Sequence, residues 1–128
     1  MTDHPTQSAI SGWPALRALA LALDLPQVTV AHPWGHEALK AHGKMWCWWG
    51  MMADGAPFRA DADEREMLLA ADPGTFFLHP HYTPNGLILA RPGRLDPGWA
   101  KARLVRQWRD AAPKRWLAAW DRAQEGRG

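Results

Sequence analysis

The sequence has one cysteine and one tyrosine in 128 residues, a net charge of only +2, and no long apolar run. A single thiol rules out an intramolecular disulfide, so packing must hold the fold together, and a reducing compartment is the expected setting. The longest apolar stretches, Ala18 to Leu23 and Met45 to Trp49, fall far short of the ~20 residues that cross a bilayer as a helix. The opening Met1-Thr2-Asp3-His4-Pro5 has neither the basic start nor the apolar stretch of a signal peptide. A cytoplasmic protein with no membrane partner is the expectation. Also missing are a glycine-rich phosphate loop, a Gly-x-Ser-x-Gly elbow and paired carboxylates in structural context. No catalytic residue and no cofactor is therefore expected, and the chain reads as a protein that binds.

What is present is a globular composition, 47% hydrophobic and 22% charged, well away from disorder. A chain of this length makes one domain that buries roughly two-thirds of its unfolded surface. Nine tryptophans exceed what such a core requires, so some belong at a surface or cleft. Charge is unevenly placed. Residues 1–90 hold five Lys/Arg against nine Asp/Glu, and residues 91–128 hold ten against four. A basic final third on an acidic body points to a polyanion partner, or to a solvated helix face.

Periodicity and punctuation lay out the elements. Residues 1–10 read as a disordered leader, 11–123 as a single domain, and 124–128 as a tail. Ser11 is the expected cap of a first helix with Pro14 in its first turn and Trp13, Leu16, Ala20 and Leu23 along one stripe. Strands follow near Val28–Val30, up to Leu39, over Lys44–Trp49 and over Pro57–Ala60, with a tight turn at His42-Gly43. Asp61 and Glu64 have capping-box spacing for a second helix that Asp72-Pro73-Gly74 ends. A last hairpin is expected from Phe76–Tyr82 to Leu87–Arg91, then a long helix from Asp96-Pro97 that Pro113 interrupts. The order implies an α+β fold: an antiparallel sheet of about five or six strands with helices packed on one face.

Several segments together resemble the MmcQ/YjbR proteins. His32-Pro33-Trp34-Gly35-His36 followed by Gly43-Lys44-Met45-Trp46 is similar to that family's Pro-aromatic-Gly segment and Gly-Lys-Met-aromatic strand. Asp63 to Glu66, Ala71 to Gly74, His81-Tyr82 and Ala112 to Lys114 continue the likeness over about residues 13–120. Leu87 stands where such proteins usually have Trp, and Gln107-Trp108 where they often have Ser-Tyr. The resemblance implies a frataxin-like α+β sandwich and a double-wing arrangement that binds DNA, with hairpin tips near Gly43 and Gly55 as wings. It does not extend to iron, because the first helix carries Arg17 and a single terminal acid, Asp24.

Two sets of side chains are candidates for binding. Arg103, Arg106 and Arg109 recur at i, i+3 and i+6, with Lys114 and Arg115 beyond. Such a row, with Lys44, would contact DNA phosphates. Alternatively Trp34, His36, Lys44, Trp46, Trp48, His81 and Tyr82 would surround a cleft for a small aromatic ligand. That reading takes Lys44, Trp46 and Trp48 to share one strand face, with Met45, Cys47 and Trp49 on the other. The same indoles would otherwise be core, or would pair two copies as a homodimer. His79 and His81 have a metal-ligand spacing but lack a nearby Cys or carboxylate, so no metal site is expected. Cys47, flanked by indoles, is expected to be buried and inert.

Overall fold

A computed structural model describes residues 8–127. Ten elements follow one another: α1 (Trp13–Ala22), β1 (Val28–Ala31), β2 (Ala38–Ala41), β3 (Lys44–Cys47), β4 (Ala56–Arg59), α2 (Ala62–Ala71), β5 (Phe76–Phe77), β6 (Leu87–Ala90), α3 (Pro97–Ala111) and α4 (Lys114–Glu125). A 3-10 turn, Thr83–Asn85, lies between β5 and β6. The fold is α+β, as expected, but the strands do not form one ladder. They make two antiparallel three-stranded sheets, β1-β2-β3 and β4-β6-β5.

The junction between the sheets explains the split. β3 and β4 are bridged by the side chain of Gln107 from α3, which is buried. Its Oε1 accepts from the Arg59 backbone N–H at 2.7 Å, and its Nε2 donates to the Trp46 carbonyl at 3.4 Å. A glutamine amide, one acceptor and one donor, thus stands in for a rung of backbone ladder. The Arg59 guanidinium adds a contact to the Met45 carbonyl at 3.4 Å.

Local chemistry sets the turns and caps. In the β2–β3 hairpin, His42 and Gly43 both have positive φ, 53° and 79°, the requirement of a two-residue type I′ turn. Asp61 caps α2 by accepting from the Glu64 N–H at 2.8 Å. The capping box is not reciprocal, because the Glu64 carboxylate turns away to two arginines of α3. Asp96 caps α3 through the Trp99 N–H at 2.9 Å. Pro113 ends α3 and starts α4, having no N–H to continue the helix.

Four expectations need correction. The cap of α1 is Gly12, not Ser11, and the helix begins with Pro14 in its first turn. Ile10, expected at the end of the leader, is buried and bridges Leu95; residues 1–7 lie outside the described residues. Gln124 and Glu125, expected in the tail, are the last residues of α4; Gly128 lies outside the described residues. Finally, β5 has only two residues. Pro80 has no N–H for a ladder, and the chain turns there, with the Tyr82 and Thr83 amides both donating to the His79 carbonyl.

The core lies between the sheets and α1 and α3. Leu39 and Ala41 of β2, Trp46 and Cys47 of β3, Phe58, Ile88, Ala90, Leu104 and Trp108 form one buried cluster with Leu16 and Ala20 of α1. Two indoles anchor it by polar bonds as well as by area. Trp46 donates to the Leu104 carbonyl at 2.9 Å and Trp108 to the Pro26 carbonyl at 2.8 Å, which satisfies N–H groups that burial would otherwise leave costly.

Candidate functional site

The open side of β2 and β3 carries a cleft of about 330 Å³, lined among others by Trp34, His36, Ala38, Met45, Trp48 and Tyr82. Its making depends on a bulge. Leu39 pairs with Cys47 and Lys40 with Met45, so Trp46 is an extra residue between two rungs. A bulge breaks strict alternation and lets two consecutive side chains take one side. Trp46 and Cys47 both enter the core, and Met45 and Trp48 both line the cleft. The expectation that Lys44, Trp46 and Trp48 share a face is therefore corrected.

The far wall comes from the 3-10 corner before β6. His81 and Tyr82 line the cleft, with the His81 ring edge-on to the Tyr82 ring at 4.8 Å. The rim is a bent segment after β3. Gly50 donates to the Gly55 carbonyl at 2.8 Å, Trp49 donates to Asp54 at 2.7 Å, and the Met52 N–H donates to the Tyr82 hydroxyl at 3.0 Å. Gly50 allows this closure, because a Cβ there would collide with the Ala53 carbonyl and press on the Tyr82 hydroxyl. Held this way, Met51 and Met52 stand exposed at the lip, as does Trp34, which keeps 67% of its surface.

Electrostatics in the cleft are muted. Glu37, one of the lining residues, accepts the Trp13 indole N–H at 3.0 Å and pairs with Arg17 at 2.6 Å. The indole hydrogen bond and the guanidinium hold its carboxyl below the usual range. No lysine or arginine lines the cleft. Lys44 is exposed at the hairpin end, paired opposite Ala41.

Of the residues expected around a ligand, the structure brings together Trp34, His36, Trp48, His81 and Tyr82, and leaves Lys44 and Trp46 elsewhere. Met45, Met51 and Met52 also line the cleft and were missed. The first follows from the bulge, which no local motif announces; the other two sit in a segment without periodicity. His79 and His81 do not lie on a strand, and the His79 Nδ1 accepts the His81 backbone N–H at 3.1 Å. Among the described residues no three His, Cys, Asp or Glu side chains converge as a metal would need. Cys47 is buried, and desolvation pushes its thiol far above the ordinary range.

The basic row is engaged within the molecule. Arg103 pairs with Glu64 at 3.2 Å, donates to the Arg59 carbonyl at 3.1 Å and lies over the Trp99 ring at 4.9 Å. Arg106 meets both oxygens of Glu64, at 2.9 and 3.3 Å. Arg109 meets both oxygens of Asp121, at 2.9 and 2.8 Å, tying α3 to α4. Lys114 and Arg115 are exposed at the start of α4. The hairpin tips differ from free wings. His42 packs against Trp108 and Trp116, with ring centroids 5.1 and 4.8 Å away. Gly55 is buried against Phe77 and the Ala90 carbonyl.

Comparison with known proteins gives one match. A family model described as YjbR covers residues 23–112, from the end of α1 through α3, a narrower span than residues 13–120. No curated protein and no solved structure matches the chain. The family match takes in both sheets and all of the cleft lining, and on it the chain belongs to the YjbR family.

Proposed function

We propose that this protein is a binding module whose site is the cleft on the open side of β2 and β3, and that it takes a small, apolar, partly aromatic ligand. The observation that carries this is the convergence of three indoles, a phenol and three thioethers around one 330 Å³ concavity. Ligand sites have this character, mostly apolar walls with a few placed polar groups, at the lower end of the usual volume range. Thioethers at the lip suit the role, because an unbranched polarisable side chain adapts to the shape it meets.

Equilibrium dialysis against 1-naphthol tests it. A ligand of that size held in such a cleft binds with a Kd on the order of 100 µM or tighter. Ala38 forms part of the cleft wall and is itself buried, so the larger ring of Ala38→Phe intrudes on the cleft. The variant should stay folded by circular dichroism, with some loss of thermal midpoint from overpacking, and lose naphthol binding. Equal binding by both proteins would place the site elsewhere.

A DNA-binding reading draws support from Lys114 and Arg115, which are exposed at the N-terminal end of α4 with Arg122 exposed in its last turn. On that reading phosphate contact rests with α4, and Arg103, Arg106 and Arg109 act as braces. Anisotropy of a labelled random duplex at two salt concentrations tests it. Affinity should fall steeply with salt and drop further in Lys114→Glu/Arg115→Glu. An absence of binding at low salt removes the reading.

A further inference from the structure

The cleft reading can be taken further, to the chemistry of the ligand, from the polar groups in the wall. Trp49 and Trp13 give their indole N–H groups to Asp54 and Glu37. The indole N–H groups of Trp34 and Trp48 have no partner among the described residues, and both rings line the cleft. Tyr82 accepts from the Met52 N–H, and its own hydroxyl hydrogen has no acceptor among those residues. Three donors are thus uncommitted. On the acceptor side, the lining carboxylate, Glu37, already holds an indole and a guanidinium. His36 and His81 can serve in either role.

Charge narrows the choice. A bound anion would meet no lysine or arginine in the wall, and Asp54 stands behind Trp49. A bound cation would meet a carboxylate already paired with Arg17. A charged ligand would lose water and gain no counter-ion, which is costly. A flat, neutral molecule with carbonyl oxygens loses little and accepts the waiting hydrogens.

We propose that the cleft selects an uncharged, planar aromatic ligand bearing carbonyl-type acceptors, with its ring between Trp34 and Met45 and its oxygen directed to the Trp48 N–H and the Tyr82 O–H. The proposal rests on the cleft being a ligand site. Its content is the preference for acceptors and for neutrality.

Four bicyclic probes of similar size separate the ideas: coumarin, naphthalene, 2-naphthoate and N-methylquinolinium, each by equilibrium dialysis. Coumarin should bind about tenfold or more tighter than naphthalene, and both charged probes should bind more weakly than coumarin. Trp48→Phe keeps an aromatic ring and removes the N–H, so the coumarin-to-naphthalene ratio should fall about fivefold, the worth of one such hydrogen bond. Tyr82→Phe, which keeps the ring and removes the other donor to that oxygen, should lower the same ratio. Equal affinity for coumarin and naphthalene, or an unchanged ratio in both variants, overturns the acceptor preference while leaving the cleft as a site. Tighter binding of either charged probe overturns neutrality. Failure of all four probes to bind overturns the cleft reading itself.

Discussion

Replacing Gln107 by leucine keeps the volume at the junction of the two sheets and removes both of its hydrogen bonds. The bond from the Arg59 N–H, at 2.7 Å, is short; that to the Trp46 carbonyl, at 3.4 Å, is long. The loss therefore lies mostly in the first, whose donor is left facing an apolar group. An unsatisfied, partly buried backbone donor costs about 1–3 kcal/mol, and the weaker bond adds little. A destabilisation of about 2 kcal/mol is expected for Gln107→Leu. With an unfolding entropy of about 2.1 cal/mol/K per residue, that lowers Tm by roughly 7 °C. Differential scanning calorimetry measures the shift, and amide exchange shows where it arises, with the Arg59 amide losing protection before the β1–β2 rungs do. A variant within about 0.5 kcal/mol of the parent, with the Arg59 amide still protected, would mean that β3 and β4 hold together without the bridge.

Three further outcomes follow from the titratable groups. Glu64, between Arg106 and Arg103, has its carboxyl held below the usual 4.5 by their hydrogen bonds. Its contribution is present above 4.5 and lost as pH falls through the lower folded value, so Glu64→Gln should flatten the acid limb of stability at a cost of about 1 kcal/mol at pH 7 in denaturant titrations. His42 is held below its usual 6.5 by burial and by Lys44, so the unfolded chain takes the proton first. Stability should rise as pH climbs toward 6.5 and hold above it, and His42→Asn, which tolerates the left-handed turn, should remove that slope; a slope that persists would assign it to another group. Cys47, buried and with a raised pKa, should resist a disulfide-exchange reagent at pH 8 until the protein unfolds, whereas prompt reaction of one thiol in the native protein would contradict its burial.

The elements were legible where the signal is local. His42-Gly43 announces its turn through left-handed backbone needs, Asp61 and Asp96 announce their helices as caps, and Pro113 announces the break between α3 and α4. What escaped depends on pairing across distance. Whether Trp46 points to the helices or to the open side is set by a bulge opposite Leu39 and Lys40, and alternation along β3 alone gives the wrong face. The arginine row has the spacing of a phosphate reader, yet its carboxylates come from α2 and α4, 42 and 12 residues away in sequence. A charge pattern read along one helix does not contain its partners. Gln107 is the clearest case. As a polar residue within an amphipathic helix it looks unremarkable, and its role exists only because β3 and β4 arrive on either side of it. The cleft was half legible: its aromatic members and Met45 stand in or near the resembling segments, and Met51 and Met52 do not.

The cleft takes its floor from one sheet, Ala38 and Met45, and its far wall from the corner that feeds the other, His81 and Tyr82. Across that line the two sheets meet through a side chain and not a continuous ladder. An occupant touching both sides becomes a second cross-tie, in parallel with the first. Reciprocity then fixes the bargain between them: whatever free energy a filled cleft adds to the union of the two sheets, a firmer union returns as tighter holding of the occupant. Grip at the lip and stiffness at the seam are one mechanical quantity seen from two places.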